Sequence, residues 1–187
     1  MITTLALALT ITLTSVNTPL VCPVMGGPAK AGGTTVEYEG ATYSFCCPGC
    51  DTAFAKDPDK YIKEQAKAGK TTGEFLFDPI SNQRIKPDKA KASMDYNGIR
   101  YYFYSEDNLE AFKKDPKKMS ATPEKESMTC AVMGSKIASY SKASGYMDYK
   151  NVRYYFCCAS CTPAMAKDPD KYAGKDLQKP QAITLTN

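Results

Sequence analysis

The stretch YEGATYSFCCPGCDTAFAKDPDKY (38–61) decides the fold, because the chain contains two more versions of it. They are YNGIRYYFYSEDNLEAFKKDPKKM (96–119) and YKNVRYYFCCASCTPAMAKDPDKY (149–172), and the three align without a gap. Self-similarity of this kind is the signature of repeated supersecondary units. The sequence therefore predicts three copies of one small motif.

A short segment precedes each copy and extends the repeat toward the N-terminus. These segments are CPVMGG (22–27), DPISNQ (78–83) and CAVMGS (130–135). The 13 tyrosines and 7 phenylalanines support the same limits, because all of them lie in or at the edge of the repeated units. We predict three tandem modules, numbered 1 to 3 in chain order, over residues 22–61, 77–119 and 129–172, followed by a tail over residues 173–187.

Within a module, the pattern predicts a knuckle, a β-hairpin and a short helix. Apolar and polar residues alternate on both sides of Glu39-Gly40, which is typical of a hairpin, and Asn97-Gly98 is a stronger version of the same turn signal. The helix that follows is expected to stop at Asp57-Pro58, because proline disfavours helix at the residue before it. We therefore expect an α+β fold made of small modules.

The chain has eight cysteines and no histidine, and only modules 1 and 3 contain thiols. Each of these modules has a cysteine and a methionine in the knuckle, two adjacent cysteines at the end of the second strand, and one cysteine in the first turn of the helix. A hairpin that returns to the knuckle would gather these sulfurs in one small volume. The candidate metal ligands are Cys22, Met25, Cys46, Cys47 and Cys50 in module 1, and Cys130, Met133, Cys157, Cys158 and Cys161 in module 3.

Sulfur donors favour soft metal ions over Mg, Ca or Mn. We expect one ion in each of modules 1 and 3, with Cu(I) preferred and zinc second, and zinc is favoured if Cys47 or Cys158 supplies a fourth thiolate. Cys50 and Cys161 start a helix, where negative charge is stabilised, and are expected to be thiolates. In an oxidising compartment, disulfides are an alternative to metal.

Module 2 has lost the sulfur atom at every corresponding position. Asp78 stands in place of the first cysteine, and Ser81 stands in place of the methionine. The joint loss favours the methionines as ligands over the alternative that they are hydrophobic fillers. The remaining replacements are Tyr104, Ser105 and Asn108.

Two cysteine spacings, C-x23-C-x3-C in module 1 and C-x26-C-x3-C in module 3, resemble those of the TRASH and YHS families. The Tyr-x-Gly before the second strand of module 1 and the Asp-Pro-x-Lys-Tyr endings belong to the same resemblance. It implies treble-clef-like modules of the kind associated with heavy-metal trafficking, resistance and sensing. Two features depart from the families: histidine is absent, and methionine replaces the second knuckle cysteine of related zinc modules.

Residues 1–20 are predicted to be a signal peptide, because an apolar run over residues 5–13 is followed by small polar residues. No lysine or arginine precedes the run, so a buried first strand or a wrongly assigned start is the alternative. The run is shorter than the roughly 20 apolar residues that cross a bilayer. We therefore expect an extracytoplasmic protein, periplasmic or secreted, with no membrane span after removal of the signal.

The composition also narrows the function. The net charge of +4 comes mainly from lysine, and the chain has only three arginines. Lysine is less suited than arginine to bidentate recognition of bases and phosphates, so a nucleic-acid partner is not expected. Without histidine no Ser-His or Cys-His pair exists, so an enzyme is not expected. We expect a protein for heavy-metal sequestration, resistance or delivery, whose partners are a metal ion and a metal-transporting or metal-accepting protein. The alternatives are a structural-zinc scaffold and a disulfide-stapled scaffold.

Overall fold

The structure is a computed structural model that describes residues 18–185, and the structural statements below refer to that part of the chain. The predicted signal peptide falls outside the described residues, except for its last three positions. Helices and strands are mixed, so the α+β prediction is confirmed. In chain order the elements are β1 (Thr35–Tyr38), β2 (Ala41–Ser44), α1 (Cys50–Lys56), α2 (Pro58–Lys67), β3 (Gly73–Phe75), β4 (Ala92–Tyr96), β5 (Ile99–Phe103), α3 (Glu106–Lys114), α4 (Pro116–Met119), β6 (Lys125–Ser127), β7 (Gly145–Tyr149), β8 (Val152–Phe156), α5 (Cys161–Lys167), α6 (Pro169–Tyr172) and β9 (Ile183–Leu185).

Each module contains the predicted hairpin. The two central residues of each turn, at positions 39–40, 97–98 and 150–151, all have positive φ, between 49° and 83°. Positive φ at both positions defines the type I′ turn, whose twist matches that of the flanking strands. Glycine serves the second position in modules 1 and 2, and Asn151 adopts it in module 3, since asparagine tolerates the left-handed region better than most residues.

An Asp-Pro pair ends the first helix of every module and begins the second. The side chains of Asp57, Asp115 and Asp168 each accept a hydrogen bond from the backbone N–H three residues further on. The following proline occupies the first position of the new helix, where its missing N–H costs nothing. The predicted stop of the first helix is therefore also the start signal of the second helix.

The strands form two sheets. The larger has the order β4-β5-β3-β2-β1-β9, and the smaller, in module 3, has the order β6-β8-β7. Strand β3 joins modules 1 and 2, because it pairs antiparallel with β2 and parallel with β5. Strand β9 comes from the C-terminal tail and pairs antiparallel with β1, so the tail is part of the folded structure.

Aromatic side chains bind the modules to one another. Phe77, which precedes the knuckle of module 2, is fully buried and packs against Tyr146 and Tyr155 of module 3, with ring centroids 5.3 and 5.8 Å apart. The guanidinium of Arg153 in module 3 lies 6.0 Å from the ring centre of Phe75, in the strand that joins modules 1 and 2. Burial of this much apolar surface between modules favours one packed body over separate beads.

Two buried arginines fasten the segments that lead into the modules. Arg100 pairs with Asp95 across the β4–β5 hairpin and also donates to the backbone carbonyl of Thr18, at 2.5 Å. Arg153 pairs with Asp148 in the same way and donates to a carbonyl of the segment between modules 2 and 3.

Among residues 18–185, no helix has the length and apolar character needed to cross a bilayer.

Candidate metal centres

The knuckles of all three modules have one backbone geometry. A residue with positive φ closes each turn, namely Gly26 at 65°, Asn82 at 58° and Gly134 at 70°. In module 1 the Cys22 N–H donates to the Gly27 carbonyl at 2.7 Å, and the Cys22 carbonyl accepts from Gly26 at 2.8 Å. The turn directs the side chain of the first knuckle residue into the module, where it is fully buried in each case.

The hairpin and helix bring two later cysteines to each knuckle cysteine. In each group the three Sγ atoms lie within 4.8 Å of one another. The first and last members are buried, and the middle one is partly accessible to solvent. The predicted convergence of sulfurs from distant parts of the chain is therefore present in both modules. The groups are Cys22, Cys46 and Cys50 in module 1, and Cys130, Cys157 and Cys161 in module 3.

These separations fit a single bound ion. Two sulfurs that bind one tetrahedral zinc at about 2.3 Å lie about 3.8 Å apart. Three thiols within 4.8 Å of one another reach that arrangement through small side-chain rotations. All eight cysteines are free thiols in the structure, so the groups are assembled without disulfides. Each group can therefore hold a metal ion.

Backbone amides make the knuckle cysteine the most acidic member of its three-thiol group. Burial opposes ionisation of Cys22, but hydrogen bonds from the backbone of Met25, Cys46 and Val24 outweigh it and lower the pKa of this thiol. The equivalent backbone groups lower the pKa of Cys130. The sequence analysis did not predict these backbone donors. The glycine four residues after each knuckle cysteine, Gly26 or Gly134, is the sequence signal for the tight turn that supplies them.

The other thiols hold their protons more tightly. Burial is the main cause that raises the pKa of Cys50 and Cys161, so the expectation that the helix start makes them thiolates is wrong for the free thiols. A hydrogen bond with Cys22 raises the pKa of Cys46 to about 11. In each group the knuckle thiol therefore ionises most readily, and metal binding must displace the protons of the other thiols.

The fourth thiol of each module is placed differently. Cys47 is exposed, and its Sγ lies 3.7 Å from that of Cys46. Cys158 is partly buried, and its Sγ lies 2.9 Å from that of Cys161 and 3.3 Å from the hydroxyl of Ser160. Hydrogen bonds with these two partners lower the pKa of Cys158 to about 7. The fourth sulfur therefore lies closer to a member of the three-thiol group in module 3 than in module 1.

The two knuckle methionines lie at the surface. The exposed fractions of Met25 and Met133 are 66% and 63%, so neither is a core filler. Their backbone N–H groups contact the sulfurs of Cys22 and Cys130, so each methionine is attached to the backbone beside a three-thiol group while its side chain is exposed. The alternative of a packing role for these residues is therefore wrong.

Module 2 fills the same space with a hydrogen-bonded carboxylate. Asp78 is fully buried and occupies the position of the first knuckle cysteine. One oxygen accepts from the backbone N–H groups of Ile80 and Ser81 at 2.9 and 3.2 Å. The other accepts from the Tyr104 N–H at 2.8 Å and the Asn108 side-chain amide at 2.7 Å. In module 2, protein donors therefore surround the residue at the position where modules 1 and 3 have a cysteine facing two other thiols.

Comparison with known families gives one match. The YHS domain model, of a family associated with heavy metals, matches residues 32–65 and 77–121, which correspond to most of module 1 and to module 2. Module 3 repeats their elements, and its strand arrangement β6-β8-β7 repeats β3-β5-β4 of module 2. No curated protein and no solved structure matches the chain.

The family match does not require a complete three-thiol group. In module 1 it begins after Cys22 and includes Cys46 and Cys50, and in module 2 it covers a module without thiols. The framework of hairpin and helices is therefore sufficient for the resemblance to YHS domains, whereas the two three-thiol groups are potential metal centres.

Proposed function

We propose that the chain is an exported soft-metal-binding protein that holds one ion in module 1 and one in module 3. The observation that carries the proposal is the pair of three-thiol groups, each with its sulfurs within 4.8 Å of one another. A family associated with heavy metals supports it. The role is sequestration, resistance or delivery of the ion, without enzymatic activity.

Cu(I) is the preferred ion. It favours soft thiolate and thioether donors and accepts low coordination numbers, whereas zinc in structural sites takes four ligands. Each centre offers three thiols and, at its rim, an exposed thioether from Met25 or Met133. A side chain that is free to move on and off the ion suits capture and transfer to a metal-accepting protein.

Zinc bound for structural purposes is the second candidate, and one observation favours it in module 3. The Sγ of Cys158 lies 2.9 Å from that of Cys161, so four thiols are available around one point. A closed set of four thiolates is typical of structural zinc sites. In this case the ion would stabilise the module without being passed on.

Metal content and methionine replacement separate the two functions. The chain from Thr18 onward is purified under reducing conditions, supplied with Cu(I) or zinc, and analysed for metal and thiols. We expect two Cu(I) per chain and at least a ten-fold loss of Cu(I) affinity in Met25→Leu/Met133→Leu, which keeps side-chain size and removes sulfur. Two zinc ions with affinity unchanged by the same substitutions would instead support the structural role.

Export is tested separately. The apolar run over residues 5–13 supports a signal peptide, so the full chain should be processed and recovered outside the cytoplasm. N-terminal sequencing of the secreted or periplasmic protein gives the cleavage position. Recovery of the intact chain in the cytoplasm would contradict this part of the proposal.

A further inference from the structure

Each metal-binding module contains a C-x2-C pair just before its helix, and the two pairs differ in backbone conformation. The pairs are Cys47-Pro48-Gly49-Cys50 and Cys158-Ala159-Ser160-Cys161. Gly49 has a φ of 84° and lies in the left-handed region, whereas Ser160 has a right-handed helical conformation with φ of −72° and ψ of −16°. In module 3 the Cys161 N–H also donates to the Cys158 carbonyl at 3.1 Å, which closes a tight turn.

The accessible cysteine has different sulfur neighbours in the two modules. In module 3 the Sγ of Cys158 lies 2.9 Å from that of Cys161, which is buried. In module 1 the Sγ of Cys47 lies 3.7 Å from that of its neighbour Cys46, and its side chain also interacts with that of Cys50. The same sequence spacing thus gives one close sulfur pair across the turn in module 3 and a thiol shared between two neighbours in module 1.

We propose that Cys158 and Cys161 form a reversible disulfide by exchange with a low-molecular-weight disulfide. The Cys158 thiolate attacks one sulfur of that disulfide, breaks its S–S bond and releases one small thiol. The Cys161 thiol then gives up its proton, and its sulfur attacks Cys158 and displaces the second small thiol. Two protein thiols are oxidised, and one small disulfide is reduced to two thiols.

Module 1 is expected to stop at the first step. Cys47 is the more exposed of the two attacking thiols and will form a mixed disulfide. Closure onto Cys46 is disfavoured, because neighbouring Cα atoms lie about 3.8 Å apart across a trans peptide, below the roughly 4.4 Å minimum usual for a disulfide. We expect closure onto Cys50 to be less favourable than the corresponding closure in module 3, because Gly49 lies in the left-handed region where Ser160 is right-handed.

The disulfide would also control metal in module 3. Cys161 belongs to the three-thiol group, so its oxidation leaves two thiols, too few to close a four-ligand site for zinc. This step rests on the proposed function, since it concerns the ion that module 3 holds. Oxidation would therefore release zinc from module 3 and leave the ion of module 1, whose three thiol ligands remain reduced.

The test uses the full chain, reduced and then treated with oxidised glutathione, quenched by alkylation and mapped by peptide mass spectrometry. We expect an internal disulfide between Cys158 and Cys161, and a glutathione adduct at Cys47. Cys158→Ser should abolish the internal disulfide. An equal distribution of adducts and disulfides in the two modules would overturn the proposal.

Exchanging the two turns provides a matched control. Pro48→Ala/Gly49→Ser gives module 1 the turn sequence of module 3, and Ala159→Pro/Ser160→Gly does the reverse. We expect the ratio of internal disulfide to glutathione adduct to rise at least ten-fold in module 1 and to fall by a similar factor in module 3. Unchanged ratios in both variants would show that the turn is not the cause.

Metal release is read separately with zinc as the probe. Zinc-supplied chain treated with oxidised glutathione should release one of two zinc ions to a chromogenic chelator, and Cys158→Ser should release none. Release of both ions or of neither, with the disulfide formed, would overturn the link to metal. A chain that binds no zinc or Cu(I) would refute the proposed function, while the disulfide mapping would still decide the exchange reaction.

Discussion

Modules 1 and 2 share a sheet and a knuckle geometry, yet the centre of one is built from sulfur and that of the other from hydrogen bonds. In module 1 the buried Cys22 faces two other thiols. In module 2 the buried Asp78 receives four hydrogen bonds from protein donors. The backbone is therefore compatible with two kinds of centre, and the choice is made by a few side chains.

The difference shows what each centre needs from outside the protein. A buried carboxylate with four donors is satisfied by the chain itself. Three clustered neutral thiols stabilise one another little. Their charged forms repel one another unless a cation binds between them. We therefore expect modules 1 and 3 to depend on their ions and module 2 to be independent of metal.

Removal of metal should give the largest effect. Structural zinc contributes an apparent binding free energy of about 10–16 kcal/mol in small zinc modules. Helices α1 and α5 begin at the candidate ligands Cys50 and Cys161, whereas α3 follows the cap residue Ser105. Hydrogen exchange of the zinc-supplied chain, with and without a strong chelator, should show at least ten-fold faster exchange in α1 and α5 and little change in α3.

Equal acceleration in all three helices would mean that module 2 depends on the ions of its neighbours. No acceleration in α1 and α5 would mean that the inter-module core holds modules 1 and 3 together without metal. Either outcome would contradict the expectation that the thiol centres depend on metal and that the carboxylate centre does not.

Loss of the carboxylate in module 2 should give an intermediate effect. Asp78→Ala leaves its donors without an acceptor, and leaving a buried polar group unsatisfied costs about 1–3 kcal/mol. Several donors are affected, so we expect a loss of about 3 kcal/mol in the free energy of unfolding, measured by urea denaturation. The control is Asp88→Ala, at an exposed ion pair with Lys89, which should change stability by less than about 0.5 kcal/mol. Similar effects of the two substitutions would show that the network around Asp78 is not a substitute for metal.

Helix capping should give the smallest effect. Ser105 caps α3 by accepting the Asn108 N–H at 3.1 Å, whereas Ser160 precedes α5 without a capping hydrogen bond from its side chain. Ser105→Ala should lower the free energy of unfolding by about 1 kcal/mol, and Ser160→Ala should leave it nearly unchanged. Differential scanning calorimetry of the two variants measures the difference, and a larger effect at Ser160 would contradict this assignment of the caps.

The sequence predicts the local features of the fold and the main members of the site. The hairpin turns at positions 39–40 and 97–98, the helix ends at Asp57 and Asp115, and the convergence of three cysteines in each outer module are all confirmed. These features depend on residues close together in the chain or on a repeat whose copies fold alike. Local chemistry and repetition are therefore sufficient for them.

Other features depend on information that residue patterns do not contain. The placement of Cys47 and Cys158 follows from one backbone conformation, at Gly49 or Ser160, that spacing alone does not specify. The role of Asp78 becomes visible only when its donors are located. The pairing of β3 with both β2 and β5 joins short strands whose partners lie far along the chain, and such pairings leave weak local signals.

Strand β9 gives the fold a particular order of assembly. Thr35 of β1 pairs with Leu185, 150 residues further along the chain. During synthesis the outer edge of β1 therefore remains without this partner until residues 183–185 have emerged. Because an open strand edge invites pairing with other chains, the interval before β9 arrives is when this protein is most prone to aggregate.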